Sequence, residues 1–392
     1  MFYGFGPGAG SGQPKNRKTK PRVDIRAGSA IAGLRFAFGL ETTRKDQKDM
    51  SKFEDFLAQK GALLADGATG TNLFDMGLVS GDAPELWNVD EPEKIKALYK
   101  SFVDAGSDII LTNTFGCNRH RLKLHSAQDR VKELNIAAVE LAKDVIAESG
   151  RDVLIGGSIG PTGELFQPLG ALSYEEGVEA FREQIEGLVD GGVDVLWVET
   201  MSAIEEMKAA AEAAQDFDLP LVITASFDTA GKTMMGLSPK GLGDLQNQFA
   251  CSPVAIGSNC GVGASDLLAA ILEITEAYPD AVVVAKANCG IPQIKGDEVV
   301  YTGTPELMAD YARMALDAGA RIIGGCCGTS PSHLKAMRLA LDDYKKGVRP
   351  TLDQVISDIG PLVSPPNKEA DAARAAEGEG AGSGRRRGRR RG

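Results

Sequence analysis

Residues 108–115 read Asp108-Ile109-Ile110-Leu111-Thr112-Asn113-Thr114-Phe115, an unbroken apolar run that gives way to polar residues. Such a run suits a strand buried on both faces, as strands are in a parallel sheet covered by helices. Seven more stretches repeat the pattern: Ala62–Ala68, Val153–Gly160, Val195–Thr200, Leu221–Phe227, Val254–Cys260, Val282–Gly290 and Arg321–Gly328. Between them, Pro92–Ala105 and Tyr174–Gly191 space apolar residues at helical intervals, and Ala203–Ala214 is rich in strong helix formers. Strand–helix alternation repeated eight times over roughly 290 residues predicts an α/β fold, a (β/α)₈ TIM barrel. A doubly wound open sheet shares the rhythm but normally carries a glycine-rich phosphate loop after its first strand. Asp66-Gly67-Ala68-Thr69-Gly70-Thr71 lacks that spacing, so the barrel is the expected fold.

The barrel supplies a common address. Active sites of this architecture lie at the carboxyl ends of the strands. Asp66, Asn113, Glu199, Cys260, Cys289, Cys326 and Cys327 all fall at expected strand ends. Residues far apart in sequence therefore face one mouth.

Composition places the rest. The 392 residues are 43% hydrophobic and 25% charged, an ordinary globular balance. Residues 1–49 carry ten Lys/Arg against four Asp/Glu, and residues 366–392 carry eight against four. The formal net charge of -11 therefore leaves the body between them near -21. An acidic body argues against a nucleic acid substrate, because phosphate contacts need clustered cations. Six cysteines in a chain of this length make no disulfide framework, and neither a secretory segment nor a membrane span is present. A cytoplasmic location is expected, and oligomeric state is not legible.

The expected organisation is a single catalytic domain at 50–350 between disordered basic termini. Residues 1–49 read as a disordered basic extension or a start assigned too early, since Met50-Ser51 directly precedes the first helical segment; an organelle-targeting peptide is the alternative. Residues 351–392 read as a linker followed by an Arg/Gly-rich tail that cannot bury a core. Neither end is assigned a catalytic role.

The chemistry concentrates in Gly324-Gly325-Cys326-Cys327-Gly328-Thr329. Adjacent cysteines rarely bridge each other, whereas two thiolates can point at one ion. Cys260, in Ser258-Asn259-Cys260-Gly261-Val262-Gly263, would complete a three-sulfur zinc site with one position open. A substrate thiol is a poor nucleophile while protonated, and zinc displaces that proton at neutral pH. The expected reaction is alkyl transfer to a thiol. A lone buried cysteine is ordinarily apolar filler; the glycine-flanked pair and its matching third member argue otherwise. Cys289, in Lys286-Ala287-Asn288-Cys289-Gly290, either packs or closes the metal shell, and the second case would make a non-catalytic zinc or thiol-sensing barrel. Cys117 and Cys251 read as bystanders, and His120 and His333 as hydrogen-bonding surface residues.

Six motifs in order carry a resemblance: Asp66–Thr71, Thr112-Asn113-Thr114-Phe115-Gly116, Gly157-Ser158-Ile159-Gly160-Pro161, Glu199-Thr200, Asn259-Cys260 and Gly324–Thr329. Across about residues 53–345 the chain resembles the homocysteine S-methyltransferase family, which includes the homocysteine-binding module of cobalamin-dependent methionine synthase and betaine–homocysteine methyltransferase. The resemblance implies a zinc-bearing barrel that methylates homocysteine to methionine, with Cys260, Cys326 and Cys327 as metal ligands. It also implies that Asp66 and Glu199 hold the substrate's ammonium, with Asn113 and Ser158 in the substrate site. The substrate's carboxylate would suit backbone N–H groups of a glycine-rich turn around Ser158-Ile159-Gly160. Cys289 departs from the methionine synthase branch, which has a small non-thiol residue there.

The donor is less legible. Betaine's quaternary ammonium favours aromatic faces, and the betaine branch has aromatics where this chain has Gly116 and Thr200. Trp87 and Phe115 remain as cage candidates. Thr112–Gly116 followed by Asn118-Arg119 resembles the methionine synthase branch instead, whose donor is methylcobalamin. No Asp-x-His-x-x-Gly cobalamin motif occurs, so methylcobalamin would arrive on a separate corrinoid protein, as in a split methionine synthase. Betaine is the alternative donor.

Overall fold

The eight expected strands all form; seven are shorter than their expected runs and Val195–Met201 is one residue longer. The computed structural model describes residues 50–295 and 298–367; the expectations for residues 1–49 and for the Arg/Gly tail lie outside the described residues. The strands are β1 (Leu63–Leu64), β2 (Ile109–Leu111), β3 (Leu154–Ile159), β4 (Val195–Met201), β5 (Leu221–Ala225), β6 (Ala255–Cys260), β7 (Val283–Ala287), β8 (Pro292–Lys295), β9 (Glu298–Tyr301) and β10 (Ile322–Gly325). One eight-stranded parallel sheet runs β1-β10-β7-β6-β5-β4-β3-β2. The polar residues expected to end several strands lie outside the ladder, in the loops that follow.

Two carboxylates knit the seam between β1 and β2. At the start of β2, Asp108 N donates to Leu64 O (2.7 Å), and the Asp108 carboxylate accepts from Leu64 N (2.9 Å). At the other end of the seam, Leu111 N donates to Asp66 Oδ2 at 2.7 Å. The result is a (β/α)₈ barrel. Its interior is filled by inward side chains including Leu63, Ile109, Leu154, Trp197 and Val284, and Phe53, Phe56 and Leu57 of helix Lys52–Lys60 pack under them.

Helices Pro92–Ala105 and Tyr174–Gly191 have the expected bounds. The latter opens on a Ser173/Glu176 capping box and stops at Gly192, whose φ of 89° only glycine adopts readily. Ala203 is the N-cap of helix Ile204–Ala214. Among the described residues no helix is long and apolar enough to cross a membrane.

Two elements depart from the sequence reading. A small antiparallel hairpin, β8 with β9, is inserted after β7 and brings Tyr301 opposite Pro292. The second lies after residue 350, where the sequence reading has a linker. Helix Leu352–Asp358 begins on a Thr351/Gln354 capping box and buries Val355. Beyond it, Ser265 Oγ donates to Gly360 O (2.7 Å), and Asp266 accepts from Val363 N and Ser364 N (2.9 Å each). Ala230 N donates to Ser364 Oγ at 2.7 Å. This strap is held by polar contacts to its backbone, which leave no apolar periodicity to read.

Asp108 is 1% exposed and also accepts from Lys60 Nζ (2.6 Å) and Arg338 Nη1 (3.0 Å). Asp108→Ala should lower unfolding stability by about 2–3 kcal/mol, the low end for a broken buried pair because Lys60 and Arg338 are partly solvated. Urea denaturation measures it, and an unchanged midpoint would refute the seam's role.

Candidate functional site

Three sulfurs meet at the carboxyl ends of β6 and β10. Cys260, Cys326 and Cys327 have Sγ atoms within 4.8 Å of one another, and all three are half-buried. Tetrahedral zinc with bonds near 2.3 Å separates its sulfurs by roughly 3.8 Å; Cys260 Sγ and Cys327 Sγ stand 3.9 Å apart. The donor set fits zinc, and three protein sulfurs leave a fourth position for an exogenous ligand. Contacts among the three thiols pull Cys327 below its ordinary pKa and push Cys260 and Cys326 above theirs, so without metal the three share one thiolate.

The local backbone is shaped for this purpose. Cys260 has φ 63°, a left-handed conformation costly for a residue with a Cβ. The adjacent Gly261 shares it at φ 74°. The Cys326-Cys327 turn is stitched between neighbours: Gly325 N donates to Asp66 O, Cys326 N to Ala287 O, and Cys289 N to Cys327 O. Gly328, at φ 79°, lies against the Tyr301 ring, where a Cβ would come within 2.3 Å of Cγ. That explains the glycine after the pair.

Glu199 lies on the same cavity, which has a volume of about 1210 Å³ and is bordered by all three cysteines. A register shift between Val198 and Met201 in β4, with Thr200 at φ 62°, turns the Glu199–Thr200 segment at the mouth. Asn259 locks that bulge: its Oδ1 accepts from Thr200 N (2.8 Å) and its Nδ2 donates to Thr200 Oγ1 (2.6 Å). Ser158 Oγ donates to Glu199 Oε1 at 2.6 Å. Burial pushes the Glu199 carboxyl up to about 7 despite the pull of Lys286.

The other expected substrate residues are placed less directly. Asp66 is 1% exposed and does not border the cavity; Lys286 Nζ donates to its Oδ1 (2.5 Å) and Leu111 N to its Oδ2 (2.7 Å). Asn113 borders the cavity, but its Nδ2 is spent on Pro84 O (2.7 Å) and Asn88 Oδ1 (2.9 Å). Ser158 touches Glu199 and not the cavity. The turn expected to receive a carboxylate is occupied: Ser158 N donates to Thr112 Oγ1 and Gly160 N to Phe115 O. The N–H groups of Ser158 and Gly160 are thus satisfied within the protein.

Cys289 is buried with its sulfur outside the three-sulfur group, packed against Gly303. This favours an open over a closed metal shell. Trp87 does not border the cavity; Lys94 Nζ lies 4.2 Å from its ring. Phe74, Phe115 and Tyr301 do border it. Sequence reasoning missed Tyr301, Lys286 and Glu85. Glu85 is 4% exposed, accepts from Gly116 N (2.6 Å), and has its pKa raised by burial. The lysine inside the run Val282–Gly290 was the one available signal, since a charge in an otherwise apolar strand needs a partner.

Comparison with known proteins agrees with this geometry. The family profile described as Homocysteine S-methyltransferase matches residues 63–341, most of the chain. The chain is 28% identical over 314 residues to Methionine synthase of Mycobacterium tuberculosis, covering 75% of this chain and 26% of that protein. It is 27% identical to Methionine synthase of Mycobacterium leprae, covering 25% of it. The chain thus spans about a quarter of the length of these relatives. Among solved structures it resembles the metallated form of the homocysteine methyltransferase MmuM from Escherichia coli, with a TM-score of 0.61 and 25% identity over 73% of this chain and 99% of that one.

In the metal-free protein, Glu199 should titrate near 7 by carboxyl carbon NMR. Ser158→Ala should move it higher, because the Ser158 hydrogen bond favours the ionised form. A value near 4.5, or a downward move in the variant, would contradict the burial argument.

Proposed function

Because this chain belongs to the homocysteine S-methyltransferase family, we propose that it methylates homocysteine to methionine at a zinc ion held by Cys260, Cys326 and Cys327. The observation that carries this reading is the three-sulfur group on the same cavity as the Glu199 carboxylate. A thiol that is also an amino acid needs both. Zinc, when bound, supplies Lewis acidity that keeps a substrate sulfur deprotonated and nucleophilic at neutral pH. The chain's own residues do the rest. Glu199 faces the substrate ammonium, Ser158 and Asn259 orient that carboxylate, Asn113 forms part of the wall, and Asp66 stands behind the wall, paired with Lys286. The sulfur lone pair forms the new S–C bond, and the donor departs with the electrons of the bond it loses. Three free thiols at such a centre suit a reducing compartment, in keeping with a cytoplasmic location.

For the donor, we favour methylcobalamin on a separate corrinoid protein. The methionine synthase relatives support it. So does the apolar lip of the cavity: Phe74, Val79 and Leu124 border it and are each at least half exposed. Exposed apolar side chains grouped around one opening suit a protein partner. A second reading, betaine, is favoured by one observation: Phe74, Phe115 and Tyr301 offer aromatic faces to the cavity, and such faces attract quaternary ammonium.

A donor panel on the zinc-loaded protein with homocysteine separates the two. Methionine is expected with methyltetrahydrofolate plus a corrinoid protein, and not with betaine alone; turnover with betaine alone would reverse the choice. Cys326→Ala should lose bound zinc and lower methionine formation by more than about 100-fold. Full activity with stoichiometric metal in that variant would refute the zinc site.

A further inference from the structure

Lys286 is a buried cation bordering the cavity that the reading above leaves without a task. Its side chain is 3% exposed, in the middle of an apolar strand, and its ammonium is 5.8 Å from the Trp197 ring centroid. Burial works against its charge, while the carboxylates of Asp66 and Glu199 more than offset that and raise its pKa. An ammonium has three N–H donors. One goes to Asp66 Oδ1. The other two have no acceptor among the described residues, an expensive state for a buried charge.

We infer that Lys286 anchors the α-carboxylate of the thiol amino acid, and that Asp66 is a positioning residue for Lys286 rather than a ligand of the substrate's amine. The inference rests on the homocysteine reading and assigns the two ends of that substrate. Both oxygens of Asp66 are taken and Asp66 does not border the cavity, whereas Lys286 does. Asp66 and Lys286 together are neutral, which leaves Glu199 as the uncompensated anion for the ammonium. The substrate's carboxylate then needs a cation close by, because both charged groups sit on one carbon. Arg121, the other permanently charged cation bordering the cavity, acts on Glu85. Lys286 acts on Glu199 and Cys326. The Ser158–Gly160 turn, the expected carboxylate cradle, has already spent the N–H groups of Ser158 and Gly160.

The test is calorimetric binding of three thiols to the zinc-loaded full chain: homocysteine, 3-aminopropane-1-thiol, which lacks the carboxylate, and 4-sulfanylbutanoate, which lacks the amine. Lys286→Met should weaken homocysteine by about 10- to 100-fold, the range for a hydrogen bond to a charged group. Its advantage over 3-aminopropane-1-thiol should nearly vanish, while its advantage over 4-sulfanylbutanoate persists. Asp66→Asn should act in the same sense. The double variant Asp66→Asn/Lys286→Met removes both buried charges together, so it keeps the test valid if the single variant misfolds, and it should show the same profile. Retention of the carboxylate advantage in either Lys286 variant would overturn the inference. So would selective loss of the amine advantage in Asp66→Asn, which would make Asp66 an ammonium ligand. Failure of the wild-type zinc protein to bind homocysteine is a different result, and it would sink the homocysteine reading itself.

Discussion

Closure of the barrel between β1 and β2 is the constraint on which the rest depends. Two strands this short cannot form a long ladder, so two buried carboxylates, Asp108 and Asp66, complete the seam by accepting main-chain N–H groups of Leu64 and Leu111. Once the seam is closed, the ends of β4, β6 and β10 surround one opening. Without it, the sulfur from β6, the pair after β10 and Asp66 after β1 would still be neighbours through the ladder, but the loop after β2 would have no fixed place beside them. The same Asp66 that completes the seam also holds Lys286. A structural carboxylate and the electrostatics of the cavity floor are therefore one feature.

The mouth shows how strain is distributed. Of the four described non-glycine residues with positive φ, two are Thr200 and Cys260, each beside a side chain that matters. Both are held by hydrogen bonds or packing from neighbouring strands: Asn259 locks Thr200 by two bonds, and Gly261 relieves the turn after Cys260. Strain of this kind persists only where the surroundings over-determine it. The paired strands supply that restraint.

Much of the architecture was legible. The apolar runs located all eight barrel strands because continuous burial on both faces requires continuous apolar sequence. The cysteines were legible because glycine-flanked sulfur at two strand ends has few other uses. The hairpin was not, since its two short strands interrupt an otherwise regular strand-to-helix connection. The strap beyond residue 350 escaped for a related reason: carboxylate and hydroxyl contacts to backbone carry no periodicity. Trp87 and Cys289 could not be placed from sequence, because whether a side chain points into a cavity or past it depends on fractions of a helical turn or a loop's curl.

Lys286 marks the boundary between the two kinds of information. The sequence by itself determined the barrel, the three sulfurs and the two acids, because periodicity and residue chemistry are local properties. Only the tertiary structure decided how those acids are employed. Asp66 and Lys286 are separated by 220 residues, yet their oxygen and nitrogen are 2.5 Å apart, so Asp66 is spent on a cation and Glu199 is left facing the cavity. Charge pairing depends on distance through space, which is set by the closed barrel and by no local pattern in the chain.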